Sequence, residues 1–249
     1  MKERWNMKKS KNIFLSMLFS LVVFASCGVS NKQIIRMQHL EEGVDHPTTV
    51  EELKLAIEKY QKRAADLQIA ESQIGIWYKI LGSRYIDAKM YGEALKCYQN
   101  ALQYYPNNQN LYYYVGVCAG YMSHAALDFD GTGSVEKKMN YLKLAETSYL
   151  RAIEIEPKYT NALYAIGILY VYELDKNEKA VPYLEKLLTI STKDTNAMMV
   201  LARAYYSLYD FDKAVKLYDK IIATTKSAEK KAAAEANKKT VLDASYAGQ

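Results

Sequence analysis

Histidine, the most common general acid or base in catalysis, is sparse in this 249-residue chain. It contains three histidines, and His124 is the only one that follows residue 46. No Ser or Cys nucleophile can be identified as its partner, and the sequence has neither a glycine-rich phosphate loop nor an HExxH helix. An active site needs such groups in one constellation. We therefore predict that the protein is not an enzyme and uses no cofactor.

A second candidate for chemistry is the acidic, glycine-containing stretch 123–139. Asp128 and Asp130 alternate before a glycine, a spacing similar to that of an EF-hand calcium loop. In that register Ala126 would occupy the first ligand position and Lys137 the last, and neither side chain supplies an oxygen. We therefore predict no metal site. We interpret the stretch as an insertion that forms a turn between two helices and offers a contact surface for a partner.

The amino terminus carries a different chemical signal. Residues 2–12 are basic, and residues 13–25 form an apolar run that is too short to span a bilayer but suits a secretory signal. The run ends in FASCG, residues 24–28. This ending resembles a bacterial lipobox, with Phe24 in place of the usual Leu. The resemblance implies that Cys27 receives a lipid and becomes the new amino terminus; an ordinary signal peptide with an incidental cysteine is the alternative.

The lipobox resemblance implies a location and a membrane partner. Residues 1–26 would be the lipoprotein signal peptide, and residues 27–47 would tether the folded body to the membrane through a lipid anchor. The body would then face the periplasm of a bacterial cell envelope. Gly28 stands where some lipoproteins of the inner membrane carry Asp, so we expect sorting to the outer membrane.

The charge of the chain argues against nucleic acid as a partner. The formal net charge is +5, but residues 1–26 hold five basic residues and one acidic residue, so the rest of the chain carries +1. A near-neutral body lacks the electrostatic footprint of nucleic-acid binding. Three cysteines cannot build a disulfide framework. Cys97 and Cys118 are either small buried hydrophobes or a bridged pair, which the sequence does not decide.

Most of the remaining chain must fold into helices that position any binding residues. Residues 76–107 show the period of two amphipathic helices joined by a break at residues 89–92. The landmark residues of this stretch are Tyr78, Leu81, Gly82, Tyr85, Ala94, Tyr98, Ala101 and Pro106. They resemble the tetratricopeptide repeat (TPR), with Tyr in place of the family's first Trp and later Phe. The resemblance implies further copies, because one repeat cannot bury its own apolar face.

The pattern recurs along the chain. Gly116 lies 34 residues after Gly82, but Gly116 and Ala145 are 29 residues apart where Gly82 and Ala94 are 12 apart, so the second copy contains 17 extra residues. We predict an all-α TPR superhelical solenoid with capping helices at both ends. The predicted segments are a capping helix at 48–74, four repeats over 75–226 (75–108, 109–159 with the insertion 123–139, 160–193 and 194–226), and a capping helix and tail at 227–249.

The amino-terminal capping helix has its own sequence signals. Thr48 followed by Glu51 is a capping-box pattern, which predicts where the helix begins. Leu53, Ile57 and Tyr60 share one helical face, and we expect that face to cover the first repeat.

The first helix of each repeat lines a concave groove in TPR proteins, and the resemblance implies the same here. Without the core landmarks, the candidate groove residues are Lys79, Ser83, Asn110, Tyr113, Tyr121, Asn161, Tyr164, Tyr172, Asn196, Arg203 and Tyr206. Tyr offers rigid apolar area with a hydroxyl group, and Asn can pair with a peptide backbone. The alternative for any single Tyr is that it packs between repeats.

These features together predict a membrane-anchored scaffold that binds a protein or peptide partner in the cell envelope. The alternative is an accessory component of a periplasmic solute-uptake system, which would bind a substrate-binding protein or a small ligand. The groove does not resemble the chaperone-type clamp for a terminal carboxylate, because only Lys79 and Arg203 supply basic groups at comparable faces. Whether the chain forms a homo-oligomer stays open.

Overall fold

The computed structural model describes residues 47–126 and 134–247. In these ranges the chain forms nine α-helices and no strand, which confirms the all-α prediction. The helices are α1 (Val50–Asp87), α2 (Tyr91–Tyr104), α3 (Gln109–Ala125), α4 (Ser134–Ile155), α5 (Thr160–Ile168), α6 (Asn177–Ile190), α7 (Thr195–Ser207), α8 (Phe211–Thr224) and α9 (Ala228–Ala247). A π-helical turn, Leu169–Glu173, continues α5. None of these helices is both long and apolar enough to cross a membrane.

The chain divides into two units, 1–66 and 67–249. The predicted signal peptide, Cys27 and most of the tether lie outside the described residues, as does the centre of the insertion. In the first unit the structure describes the start of α1, where Leu53, Ile57 and Tyr60 are 44%, 56% and 38% exposed. Helix α1 continues through residue 74, the predicted boundary between the capping helix and the first repeat.

The capping box of α1 lies one residue later than predicted. Thr49 Oγ1 accepts a hydrogen bond from the Glu52 backbone N–H (3.2 Å), and the Glu52 carboxylate accepts one from the Thr49 backbone N–H (3.0 Å). The predicted Thr48–Glu51 pair is therefore wrong. Because the helix begins at Val50, the residue before it is Thr49 and the third helical residue is Glu52.

The second unit is built from paired helices that cross at small residues. A Cβ atom placed on Gly82 would lie 3.0 Å from the Tyr98 ring, and one placed on Gly167 would lie 2.5 Å from Leu184. The same atom on Gly116 would lie still closer to Tyr149. The three glycines therefore occupy equivalent helix crossings, as the repeat pattern predicts, and they allow the two backbones to approach.

Three of the repeats turn from their first to their second helix in the same way. Lys89, Asp175 and Tyr209 adopt left-handed backbone angles, with φ of 58°, 49° and 60°. In the first repeat, the residue after the left-handed one donates its backbone N–H to the carbonyl of Tyr85 (2.8 Å). The fourth repeat makes the equivalent bond to Tyr205 (2.9 Å). These are Schellman-type caps, which satisfy carbonyl groups at the end of the first helix.

The third repeat absorbs one extra residue as its π-helical turn. Gly167 and the equivalent Ala202 are 35 residues apart, whereas Gly82 and Gly116 are 34 apart. The extra residue widens the helix locally, and the backbone N–H of Leu174 bonds to the carbonyl of Leu169 (3.0 Å). Such single π-turns commonly mark an inserted residue and often lie at functional sites.

The core lies between successive pairs of helices. Val115, Ile166 and Leu201 occupy the landmark position before the small residue and are at most 3% exposed. Leu81 holds the same position in the first repeat but is 43% exposed, which corrects the expectation that it is buried. The described residues before this repeat belong to the same helix, α1, and supply no paired helices of the kind that cover the equivalent side chains in the later repeats.

Candidate binding groove

The first helices of the four repeats present equivalent positions, which are best counted from the small residue at the crossing. Three residues before it stand Lys79, Tyr113, Tyr164 and Met199 in repeats one to four. Six residues before it, repeats two to four place asparagine, and Asn110 is the first of them. The contacts of these residues decide which of them remain available to a partner.

Two of the predicted asparagines are used within the fold. The Tyr159 hydroxyl donates a hydrogen bond to Asn110 Oδ1 (2.8 Å). Burial raises the pKa of Tyr159, and a hydrogen bond with the side chain of Asn161 partly offsets this rise by lowering the pKa. Tyr159 therefore joins the asparagines of the second and third repeats. Asn196 is exposed, and its backbone N–H donates to the capping carboxylate of Asp194 (3.0 Å).

Tyr113 of the second repeat packs against other tyrosines and does not project into the groove. The Tyr113 ring lies edge-on to Tyr159 (5.7 Å between centroids) and to Tyr114 (5.2 Å), and it also contacts Tyr149 (6.1 Å). Burial raises the pKa of Tyr113 and of Tyr149. The structure therefore places Tyr113 in an aromatic cluster between repeats, which was the alternative that the sequence left open.

The other predicted tyrosines are more accessible. Tyr121 stacks on Tyr91 with ring centroids 4.2 Å apart and is still 51% exposed. Tyr172 lies in the π-helical turn and is 57% exposed. Tyr164 is partly buried, and burial raises its pKa, with Asp194 as a second cause. Tyr121 and Tyr172 thus keep most of one ring face or edge free.

A pocket lies at the first repeat, and we call it the first-repeat pocket. Its volume is about 310 Å³, and its lining residues are Lys79, Ile80, Ser83, Arg84, Tyr98 and Tyr114. The two tyrosine rings stack on each other with centroids 5.0 Å apart. Two predicted groove residues, Lys79 and Ser83, therefore meet in one cavity whose rim carries two positive charges.

A second pocket lies at the fourth repeat, and we call it the fourth-repeat pocket. Its volume is about 320 Å³, and its lining residues are Tyr172, Met199, Arg203, Tyr206, Tyr218, Asn237, Thr240 and Val241. The structure thereby brings three predicted groove residues, Tyr172, Arg203 and Tyr206, to one cavity. The guanidinium of Arg203 lies 5.5 Å from the centre of the Tyr206 ring, within the range of a cation–π contact.

Several residues that line these pockets were not among the predicted groove residues. Asn237, Thr240 and Val241 come from α9, whose Ala- and Lys-rich sequence carries no landmark pattern. Met199 was detectable, because it stands at the same position as Lys79 and Tyr113. Arg84 lies next to a predicted groove residue but outside the counted positions.

The cysteines and acids of the described residues show no reactive arrangement. Cys97 and Cys118 are buried free thiols, and burial raises the pKa of Cys118 to about 12, so it is a protonated core residue at neutral pH. Within residues 47–126 and 134–247, no group of three His, Cys, Asp or Glu side chains is arranged to hold a metal ion.

This chain is similar to one known repeat family and to a known protein along most of its length. Models of the tetratricopeptide repeat match residues 76–108, 133–159 and 172–236. A TPR repeat-containing protein of Borreliella burgdorferi is 31% identical over 236 residues, which cover 93% of this chain and 96% of the relative. The alternative role in solute uptake is not favoured by these relatives.

Solved structures show the same fold. A thermophilic TPR protein of Thermus thermophilus superposes with a TM-score of 0.52 at 18% identity, over 78% of this chain and 92% of that one. YrrB is described as a TPR protein with an unusual peptide-binding site. It superposes with a TM-score of 0.52 at 22% identity, over 75% of this chain and 84% of that one. Because the relative from Borreliella burgdorferi is 31% identical over 93% of this chain, the chain belongs to the tetratricopeptide repeat family, whose fold is that of a protein–protein interaction scaffold.

Proposed function

We propose that this chain is a lipid-anchored scaffold of a bacterial cell envelope, which holds a protein or peptide partner along the first-helix face of its repeats. The observation that carries the proposal is the pair of pockets on that face, one at the first repeat and one at the fourth. Both combine tyrosine rings with a basic side chain that was predicted to line the groove, Lys79 in the first pocket and Arg203 in the second.

The size and chemistry of the pockets favour a peptide segment as the bound element. Volumes near 300 Å³ lie at the lower end of the range for ligand pockets, so each accommodates a side chain or a short segment. Tyrosine provides apolar area at a low entropic cost, because its ring has few rotatable bonds. At the level of fold analogy, the peptide-binding site described for YrrB supports a peptide partner.

The anchor is supported by the amino-terminal sequence. A basic start, a short apolar run and the FASCG ending make Cys27 the residue that would carry the lipid. After cleavage the residues that follow would tether the repeats to the membrane, and Gly28 favours outer-membrane sorting. The repeats would then face the periplasm, where their groove meets other envelope proteins.

The anchor is tested by Cys27→Ser, with Cys97→Ser as the matched control at a buried thiol. Cells expressing each variant are fed a clickable fatty acid and then fractionated. We expect Cys27→Ser to lose both the lipid label and the membrane association, while Cys97→Ser keeps both. Equal labelling of wild type and Cys27→Ser would contradict the anchor.

The groove is tested by pull-down of partners from solubilised native cells. Tyr164→Ala and Tyr172→Ala remove ring area from the first-helix face, and Tyr246→Ala removes an exposed tyrosine of α9 as the control. We expect the two groove variants to recover less partner than the control does. Unchanged recovery would remove the groove from the account, and a stable oligomer without other partners in sedimentation would favour self-assembly instead.

A further inference from the structure

The fourth-repeat pocket contains an arginine that forms no ion pair with a carboxylate of the described residues. Arg203 is exposed, and its guanidinium carbon lies 5.5 Å from the centre of the Tyr206 ring. In the part of the chain that the structure describes, no Asp or Glu forms an ion pair with it. The ring holds the guanidinium in place while its hydrogen-bond donors remain available.

Two acids of α8 and of the turn before it form ion pairs with lysines. Asp210 binds Lys213 (2.7 Å), and Asp219 of α8 binds Lys238 of α9 (2.6 Å). The pocket itself is lined by neutral side chains apart from Arg203. The positive charge of Arg203 is therefore the one that a ligand in the cavity would meet.

We propose that the fourth-repeat pocket binds a single carboxylate of the partner, next to an aromatic or apolar side chain. Arg203 would bind the carboxylate, and Asn237 and Thr240 would supply neutral hydrogen bonds from α9. The rings of Tyr172 and Tyr206 would contact the neighbouring side chain. The inference rests on the proposed function, because it names the chemistry of the segment that the groove holds.

The charge in the pocket favours a carboxylate over a phosphate. A guanidinium presents a planar fork that matches a carboxylate with two parallel hydrogen bonds. A phosphate monoester carries close to two negative charges at neutral pH, and one arginine would leave part of that charge unpaired. The apolar atoms of Met199 and Val241 also suit a group with a side chain attached.

The test uses small probes and ¹H–¹⁵N NMR of the mature chain without its lipid. The probes are N-acetyl-L-phenylalanine, its neutral amide, the amidated dipeptide N-acetyl-Phe-Glu, and inorganic phosphate. Signals from the Arg203 Nε–H and the Asn237 side-chain amide report on the pocket. We expect both acids to shift these signals and the neutral amide to bind about tenfold more weakly. The two acids distinguish a terminal carboxylate from a side-chain one.

Matched variants assign the effect to the pocket. Arg203→Gln should remove the preference for the acids, and Asn237→Ala should weaken both acids without restoring binding of the amide. Lys186→Gln removes an exposed charge on α6 and should change nothing. Circular dichroism of each variant checks that it is folded.

Several results would overturn the inference. These are equal binding of acid and amide, retention of the preference in Arg203→Gln, binding of phosphate in place of the acids, or no shift with any probe. Its failure is distinct from failure of the proposed function. If partners are captured but the acids are not preferred, the groove stands and the carboxylate site falls. If the acids bind but no partner is captured, the pocket stands without the scaffold role.

Discussion

Equivalent tyrosines behave differently in the middle and at the ends of the repeat array. Tyr149 of the second repeat packs against Gly116 and the Tyr113 ring. Tyr98 and Tyr218 hold the same position in the first and fourth repeats, and each lines a pocket. All three are at most 6% exposed, so burial of the tyrosine does not explain the difference.

The repeats differ in the residue three places before the small residue of the first helix. In the second repeat this residue is Tyr113, whose ring lies against Tyr149. In the first and fourth repeats it is Lys79 or Met199, which borders the cavity instead. We therefore expect this side chain to control whether the position packs against the tyrosine or borders a cavity, while the backbone crossing stays the same.

The largest effect should follow from removing the central tyrosine. Tyr149→Ala leaves a cavity at a buried crossing, so we expect a loss of about 3–5 kcal/mol in the free energy of unfolding. Tyr172→Ala, at a 57% exposed ring, should cost less than about 1 kcal/mol. Urea melts measure both. Similar losses for the two variants would mean that the middle is not packed as described.

A smaller change in stability should distinguish alanine substitutions at two glycines of α3. A Cβ at Gly116 would collide with the Tyr149 ring, so Gly116→Ala should destabilise the protein by about 1–3 kcal/mol. A Cβ at Gly120 would lie 4.0 Å from the Tyr149 hydroxyl, which is an ordinary contact. Gly120→Ala should therefore stabilise the helix by up to about 1 kcal/mol. If thermal melts showed the same change in melting temperature for both variants, the close helix crossing at Gly116 would be contradicted.

Filling a pocket tests whether the end repeats differ from the middle through one side chain. Met199→Tyr introduces the ring that the second repeat carries, and we expect the fourth-repeat pocket to lose affinity for N-acetyl-L-phenylalanine by about tenfold, or ~1.4 kcal/mol. Met199→Leu conserves the volume and should bind as the wild type does. NMR titration provides the comparison. Wild-type affinity in Met199→Tyr would show that this position does not control the cavity.

A rise to alkaline pH should destabilise the middle and the end repeats in the same way. Burial raises the pKa of Tyr98, Tyr149 and Tyr218 alike. The unfolded chain releases these protons near pH 10, while the folded chain retains them. These tyrosines should therefore leave stability unchanged below about pH 10 and should lower it as the pH rises from there, whereas the buried thiol of Cys118 acts from about pH 9. Urea midpoints at several pH values test this, and Tyr149→Phe should reduce the decline; a midpoint that rises with pH would contradict it.

Spacing in the sequence predicted the repeats because the small residues recur at helix crossings. Gly82, Gly116 and Gly167 lie where the pattern placed them, and the helical period assigned Tyr172, Arg203 and Tyr206 to one face. These properties depend on neighbours close in the sequence. A periodic pattern records them directly.

The features that could not be predicted from the sequence depend on contacts between residues distant in the chain. Periodicity could not tell that Tyr113 would meet Tyr159, 46 residues later, and become a packing residue. Helix α9 lacks a landmark pattern, so its contribution of Asn237 and Thr240 appears only when the helix is placed beside α8. The π-helical turn follows from one extra residue, but its location depends on where the helix can widen.

The central claim, that the pockets of the first-helix face hold the partner, is tested most directly by filling both at once. The chain carrying Lys79→Tyr and Met199→Tyr is compared with wild type and with Lys186→Tyr, a change at an exposed residue of α6. Partner recovered from solubilised native cells is quantified by mass spectrometry. We predict at least about a tenfold drop in recovery for the filled chain and none for the Lys186 variant. Equal recovery by the filled chain and the wild type would contradict the account.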